Sequence, residues 1–297
     1  MNGVIIIDKE KEYTSFDVVA IVRKELKTKK VGHTGTLDPN ATGVLVVLLG
    51  NATKAQDIIE DHDKEYIANF KFGIETDTLD IWGNVLSQNK SCVTKEEVEN
   101  VLEKFRGKIL QEPPMYSAVF HNGKRLYQLA REGKTVEREK REVEIFELSL
   151  ISFDEENQSG TLKISCSKGT YIRSLIYDIS KELNTIGVMT DLRRTKACSY
   201  KENEAIKIDE FRKLVSEGKI DSYIKSTESL FLSYPEVYVS DSQSMRFYNG
   251  NPLSLDRVKL SIKEDKKIYR VKDKENNFIS LGIIDLKTNN MLVYKHF

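Results

Sequence analysis

Six consecutive apolar residues, Val44 to Leu49, follow directly on a loop rich in glycine and hydroxyl side chains, and no other stretch limits the fold as strongly. A run without polar alternation fits a strand buried on both faces, so the chain must supply a packing layer above it and another below. The loop before it, VGHTGTLDPNAT from Val31, contains one carboxylate, Asp38. Pro39 keeps Asp38 out of the α region, while Gly32, Gly35 and Gly43 permit backbone geometries that other residues resist. An aspartate constrained in this way beside a buried strand has the rigid support an active site needs. The same residues also suit a plain type I turn at Asp-Pro-Asn, and His33 alone suits a merely packed histidine. No GxxxxGK[ST] string marks a phosphate loop, so residues elsewhere must decide.

Before the loop, Val4 to Ile7 reads as a strand, and Thr14-Ser15-Phe16-Asp17 as a capping box opening a helix with Val18, Val19, Val22 and Leu26 inward. After the buried strand, Gly50 to Thr53 reads as a turn into a helix. A strand over Tyr66 to Phe72 leads into GIETDTLDIWG, whose Glu75, Asp77 and Asp80 have no histidine beside them. Thr94 to Glu97 repeats the capping box, with Val98, Val101, Leu102 and Phe105 on the buried side. From Gln111 to Arg141 prolines, aromatic residues and many bases mix, which suits an arm that clasps a partner, or an ordinary surface helix with charged flanks. Val143 to Phe153 and Thr161 to Ser167 alternate like antiparallel strands, and Gly169-Thr170 opens a helix carrying Ile172, Leu175, Ile176, Ile179 and Leu183 inward. Arg173 falls in the first turn of that helix, where a cation opposes the helix dipole, so an acidic partner is expected; Asp38 is the candidate. A further helix is expected near Ile208 to Val215. From about Tyr234 the composition turns to short strands, at Val237 to Val239, Ile268 to Val271, Phe278 to Ile284 and Met291 to Tyr294.

The fold expected is therefore α/β (α+β), a mixed, largely antiparallel sheet with flanking helices over residues 1–230, and a small all-β module over 231–297. No apolar run approaches the roughly 20 residues of a membrane helix, and the N-terminal apolar patch is too short for a signal peptide, so a cytoplasmic location is expected. Cys92, Cys166 and Cys198 are scattered and the histidines isolated, which predicts neither a disulfide framework nor a metal site. The net charge is zero, yet bases gather locally: five between Arg23 and Lys30, four between Arg193 and Lys201, and eight between Arg257 and Lys274. Acids gather at Asp57 to Glu65 and Glu96 to Glu103. Charge runs are usually solvated faces, but three basic clusters in a neutral chain raise the case for a polyanionic partner.

The strings GHTGTLDPNATGVL, KEYIANFKFGIETDTLDIWG, PPMYSA, GKRLYQLAREG, VEREKR, GTYIRSL and LRRT occur in this order between Gly32 and Thr195. In order and spacing they resemble the TruB type of tRNA pseudouridine synthase, which isomerises the uridine in the T-loop of tRNA. The tail from Tyr234 is similar, more loosely, to a small RNA-binding module of PUA type. The resemblance implies a pseudouridine-synthase fold and tRNA through its T-arm as partner, and nothing in the sequence demands more than a monomer. It implies that Asp38 attacks the target nucleoside, that Tyr66 stacks on the base and takes part in removing its C5 proton, and that Arg173 pairs with the aspartate. It places His33 near the flipped nucleotide, Asp80 in the pocket, and Tyr171 and Leu192 as its walls. Lys124, Arg125 and Arg131 in the arm, with Arg193 and Arg194, become the candidate RNA contacts.

Those roles agree with elementary chemistry. A uridine inside a folded RNA loop must be extruded and held by stacking, which an aromatic side chain supplies. An aspartate is ionised at neutral pH, and an arginine beside it offsets the cost of that charge once a bound base excludes water. Because one substrate is rearranged, no cofactor and no metal are expected. Departures from the family pattern lie at Glu10, Glu12, Phe120, Ser180 and Val188, and they bear on RNA contacts rather than on the reaction. Two rival readings stand beside the enzyme: a tRNA-binding or tRNA-folding module without chemistry, and a guide-RNA-dependent pseudouridine synthase. A pure binder has no need of Asp38, Tyr66 and Arg173 together.

Overall fold

The computed structural model describes residues 1–59 and 63–297; part of the acidic run from Asp57 to Glu65, at residues 60–62, lies outside the described residues. In chain order the elements are β1 (Gly3–Lys9), α1 (Ser15–Glu25), β2 (Val31–His33), β3 (Thr42–Leu49) and β4 (Lys64–Phe72). There follow the hairpin β5 (Ile74–Thr76) and β6 (Val85–Gln88), α2 (Lys95–Leu102), β7 (Gly107–Gln111), and the short pair β8 (Phe120–His121) and β9 (Lys124–Arg125). Next come α3 (Leu126–Arg131), β10 (Arg141–Asp154), β11 (Ser159–Cys166), α4 (Ile172–Glu182), β12 (Gly187–Ala197), β13 (Tyr200–Lys201), β14 (Ile206–Lys207) and α5 (Ile208–Ser216). The tail holds β15 (Glu236–Tyr238), α6 (Asp241–Tyr248), β16 (Leu253–Ser254), β17 (Ile268–Lys272), β18 (Phe278–Asp285) and β19 (Asn290–Lys295).

A ten-stranded sheet runs β14-β1-β3-β12-β4-β11-β10-β7, with β13 on β12 and β2 on β3. Only β1 with β14 and β3 with β12 pair in parallel; the other ladders are antiparallel. A separate five-stranded sheet runs β15-β17-β18-β19-β16. The class is thus mixed α/β with a β-built tail. The tail also carries α6, whose Ser240 accepts from the Gln243 amide in a capping box.

β3 explains the arrangement of layers. Its alternate residues Leu45, Val47 and Leu49 point into a cluster with Val18, Val22, Ile208 and Phe211 from α1 and α5. Val44, Val46 and Leu48 point the other way, into a cluster that reaches Phe231 and Leu281 of the tail. Every residue from Gly43 to Leu49 is buried, as a strand covered on both faces requires. Farther along the sheet, Phe70, Phe72, Leu162 and Ile164 pack beneath Val98 and Leu102 of α2 and Ile176 and Ile179 of α4.

Two local features differ from the expectation. The segment from Gly50 to Ala55 is a 3-10 helix, not an α-helix. Residues 187–197, to which the residue pattern assigns no element, form the eleven-residue strand β12 at the centre of the sheet. Charged Asp191, Arg193, Arg194 and Lys196 break its apolar pattern, which is why the strand was hidden. Among the described residues no helix is long and apolar enough to cross a membrane, and no group of His, Cys, Asp or Glu is arranged to hold a metal ion. All three cysteines are free thiols.

Candidate active site

Asp38 lies in the connection between β2 and β3. Its carbonyl accepts from the Ala41 amide at 3.1 Å, which closes the expected Asp-Pro-Asn-Ala turn. Arg173, in the first turn of α4, meets the carboxylate with two prongs: Nε lies 2.9 Å from Oδ2, and Nη2 donates to Oδ1 at 3.2 Å. The rest of the guanidinium is also satisfied, through the carbonyls of Thr78 at 2.9 Å and Tyr116 at 3.0 Å. Asp80 Oδ2 stands 3.8 Å from Arg173 Nη1, so the arginine bridges two carboxylates. Burial pushes the Asp80 carboxyl above its usual range, opposed by its hydrogen bond from Thr78 and by the Arg173 charge. Arg173 is 6% exposed whereas Asp38 is 38% exposed, so the cation sits underneath and the carboxylate faces outward.

Tyr66 comes from β4 and packs in one cluster with Leu37, Ala41, Ile172 and Leu192. Tyr66 is buried, at 6% exposure, so a base could stack on its ring only after displacing groups that now cover it. Burial pushes its phenol up to about 12, against the pull of the neighbouring Arg194 guanidinium. His33, on β2, has an enclosed Nδ1 without a hydrogen-bond partner, and burial with the Arg194 charge lowers its pKa. Tyr171 is the residue before α4; Gln111 fixes it by accepting from its amide at 2.7 Å and donating to its carbonyl at 3.0 Å. The structure therefore joins Asp38, Arg173 and Asp80 in one ionic group and places Tyr66 and Leu192 in the apolar cluster that contains Leu37, while His33 sits on β2, which leads into the Asp38 loop, and Tyr171 directly precedes α4.

The expected RNA contacts divide differently. Arg194 is 1% exposed and its guanidinium donates to the carbonyls of Val44 at 2.7 Å, Gly35 at 3.1 Å and Thr36 at 3.4 Å. It is a brace beneath the Asp38 loop, which corrects its reading as a phosphate contact. Arg193 is held by Asp8 at 3.1 Å and Glu202 at 2.8 Å. In the run from Arg257 to Lys274, the largely covered Arg270 and the buried Lys272 pair with Glu228 at 2.6 and 3.1 Å, and Lys274 pairs with Asp241. Within the arm, Lys124 pairs with Glu132 at 2.8 Å, Arg125 lies 4.5 Å over the Phe120 ring, and Arg131 lies 5.5 Å over Tyr127.

Two supports escaped the sequence reading. Lys9, fully buried at the end of β1, donates to the carbonyls of Glu10, Tyr13 and Pro39 at 3.0, 2.7 and 2.9 Å, tying the residue after Asp38 to the N-terminal strand. Its phase with Ile5 and Ile7 was the available signal, since an inward lysine must be paid for by hydrogen bonds. Buried Ser15 accepts from the Leu37 amide at 2.9 Å and donates to the Leu37 carbonyl at 3.2 Å, locking α1 to the residue before Asp38. The loop is gripped from three elements, which is the preorganisation that a reacting carboxylate needs.

Comparison with known proteins accords with this geometry. Residues 23–172 match the model of the TruB family pseudouridylate synthase N-terminal domain, and residues 173–232 match the tRNA pseudouridylate synthase B C-terminal domain. That second stretch ends before the five-stranded sheet begins. The tRNA pseudouridine synthase B of Clostridium perfringens is 44% identical over 288 residues, covering 97% of this chain and 96% of that protein. The protein of the same name from Francisella tularensis subsp. novicida is 45% identical over 237 residues, covering 79% and 78%. Among solved structures, an H/ACA RNP bound to a substrate RNA containing 2'-deoxyuridine matches with a TM-score of 0.75 at 23% identity, covering 99% of this chain and 84% of that one. A Cbf5-Nop10-Gar1 complex matches equally, at 24% identity with the same coverage, and both likenesses concern the fold alone. On the matched domains and the near full-length identity, the chain belongs to the TruB family of pseudouridylate synthases.

Proposed function

We propose that this chain isomerises uridine to pseudouridine in tRNA, at the T-loop, with Asp38 as the attacking carboxylate. The near full-length identity to proteins named tRNA pseudouridine synthase B supports the reaction and its substrate class. The observation that carries the mechanism is the two-pronged Arg173–Asp38 pair, cation buried and carboxylate open.

In the reaction the N1–C1′ bond of uridine breaks, the base turns, and a C5–C1′ bond forms; C5 loses a proton and N1 gains one, so nothing is oxidised or reduced. Asp38 supplies the nucleophile that lets the base detach. Arg173 holds both carboxylate oxygens and compensates their charge when the base displaces water. Tyr66 and Leu192 form the floor against which the flipped base rests, with Tyr66 beside the C5 proton to be removed, and Asp80 keeps Arg173 in register. His33 and Tyr171 border the entrance. We assign residues 1–230 to the catalytic unit and 231–297 to a PUA-like RNA-binding unit, with residues 111–141 as an arm presenting Lys124, Arg125 and Arg131 to the T-arm. The reading further takes the enzyme as a cytoplasmic monomer that needs no cofactor.

The test uses an unmodified tRNA transcript mapped for pseudouridine at single-nucleotide resolution. Wild-type protein is expected to modify the T-loop uridine, and Asp38→Asn to lose at least about a thousandfold in turnover while binding tRNA within about threefold of wild type. Product from Asp38→Asn at an appreciable rate overturns the mechanism; product only at another uridine overturns the T-loop assignment.

A further inference from the structure

Phe16 is 71% exposed although it lies between the buried Ser15 and the inward Val18 and Val19 in the first turn of α1. A phenyl ring at that position adds nothing to a core, and leaving it in water forgoes the stabilisation its burial would give. Its location is tightly determined. Thr14 and Asp17 close the capping box around it, and Ser15 clasps both the amide and the carbonyl of Leu37. Leu37 directly precedes Asp38, so the Phe16 ring is held at a fixed offset from the candidate nucleophile. The ring meets His33 edge to face, with centroids 5.6 Å apart and planes at 79°. His33, at the end of the strand that leads into the Asp38 loop, keeps an enclosed, unpartnered Nδ1. Two aromatic rings thus stand on the elements that hold the Asp38 loop, and the outer one is largely open to solvent.

We propose that Phe16 is a substrate-contacting residue, whose open ring face stacks on the base of a nucleotide flanking the flipped uridine. This rests on the reading that the target uridine enters beside Asp38. Extruding one nucleotide removes a stacking partner from its neighbours, and an exposed aromatic ring at the lip replaces it. Phenylalanine has no hydrogen-bonding group, so the contact accepts any base and acts on substrate binding rather than on bond making. His33 braces the ring through the edge-to-face contact, and the exposed remainder of the ring is left for RNA.

The experiment compares wild type, Phe16→Ala and Phe16→Trp on a T-arm stem-loop RNA that is intact or abasic at the nucleotide on either side of the target. Phe16→Ala is expected to raise KM about tenfold on intact RNA with kcat within about twofold, and Phe16→Trp to restore KM. One abasic position is expected to raise KM for wild type and to leave Phe16→Ala unchanged. Equal KM for wild type and Phe16→Ala, or equal sensitivity of both to each abasic position, overturns the proposal. Dissociation constants measured on the same RNAs give the same comparison without turnover, so a wild type that makes no pseudouridine refutes the proposed function and leaves the stacking test to stand or fall separately. Melting temperatures of the variants check the fold, and the exposed position predicts no change in them.

Discussion

Lys9 shows how one buried charge ties the catalytic loop to the fold. Three backbone carbonyls satisfy its ammonium, and one of them belongs to Pro39, beside Asp38. Burial brings its pKa down from 10.5 to about 8, against the attraction of Asp38 and with the repulsion of Arg194. In the unfolded chain the lysine keeps its proton up to its ordinary value, so between about 8 and 10.5 the unfolded state binds more protons than the folded one. Stability contributed at this position therefore increases as pH rises through that window, because the cost of the buried charge is relieved. Urea unfolding of wild type and Lys9→Met at about pH 7 and about pH 9.5 measures this; the difference between them is expected to move in favour of wild type at the higher pH. A difference that stays constant would mean that the buried amine never loses its proton in the folded protein. Tyr66 illustrates the opposite charge type: its phenol, pushed up to about 12, is neutral at physiological pH, so Tyr66→Phe removes a hydroxyl but no charge. That variant is expected to bind RNA normally and to lose at least about a hundredfold in turnover, measured as single-turnover product formation; full activity would exclude the hydroxyl from the proton transfer.

At the scale of elements, the site exists because three strands meet at Gly43. It pairs with Lys9 of β1 on one side and with Arg194 of β12 on the other, the two cations that brace the Asp38 loop. Its φ of +102° is one that side chains rarely adopt, and a Cβ there would lie 2.2 Å from the Arg194 carbonyl oxygen. Gly43→Ala must therefore part β3 from β12 or twist the loop, at an expected cost of at least about 2 kcal/mol and a fall in kcat larger than the change in RNA affinity. Denaturant unfolding and steady-state kinetics read the two effects, and a variant with wild-type values in both would show that the junction is not under strain. The same junction marks what a sequence discloses. The apolar run of β3, the capping boxes at Thr14 and Thr94 and the opposition of Arg173 to its helix dipole each express a local rule, and each is seen in the fold as residue order alone suggests. β12 and the buried roles of Lys9 and Arg194 depend on partners about 30 to 190 residues away, so charge there looked like surface. Polar residues inside a sheet are legible only once the carbonyls they serve are known.

Across the whole molecule, the two sheets share a core rather than hang from a linker. Phe231, just after the assigned boundary, is fully buried and meets Tyr234, Phe278 and Phe297 at ring separations of 6.0, 6.5 and 5.2 Å, within the cluster that includes Val4, Val46 and Leu48. Beside it lies an ionic knot: Glu228 accepts from Arg270 and Lys272, which are 12% and 7% exposed, and Glu236 completes it at 3.5 and 3.7 Å. Charges buried this deeply are costly unless matched, so removing Glu228 leaves two cations with one half-exposed partner, an expected loss of about 3 kcal/mol. Because the knot joins the tail to the segment leaving the catalytic sheet, the loss should fall on the tail and weaken its coupling to the rest. The single tryptophan, Trp82, lies in the catalytic half, so its fluorescence follows that half while far-ultraviolet circular dichroism follows both. For wild type the two denaturation curves are expected to coincide, as a shared core requires; for Glu228→Ala the dichroism should show an earlier phase that Trp82 does not see. Separate phases in wild type would mean that the sheets fold independently despite their contact, and coincident curves in the variant would mean that the aromatic cluster alone couples them.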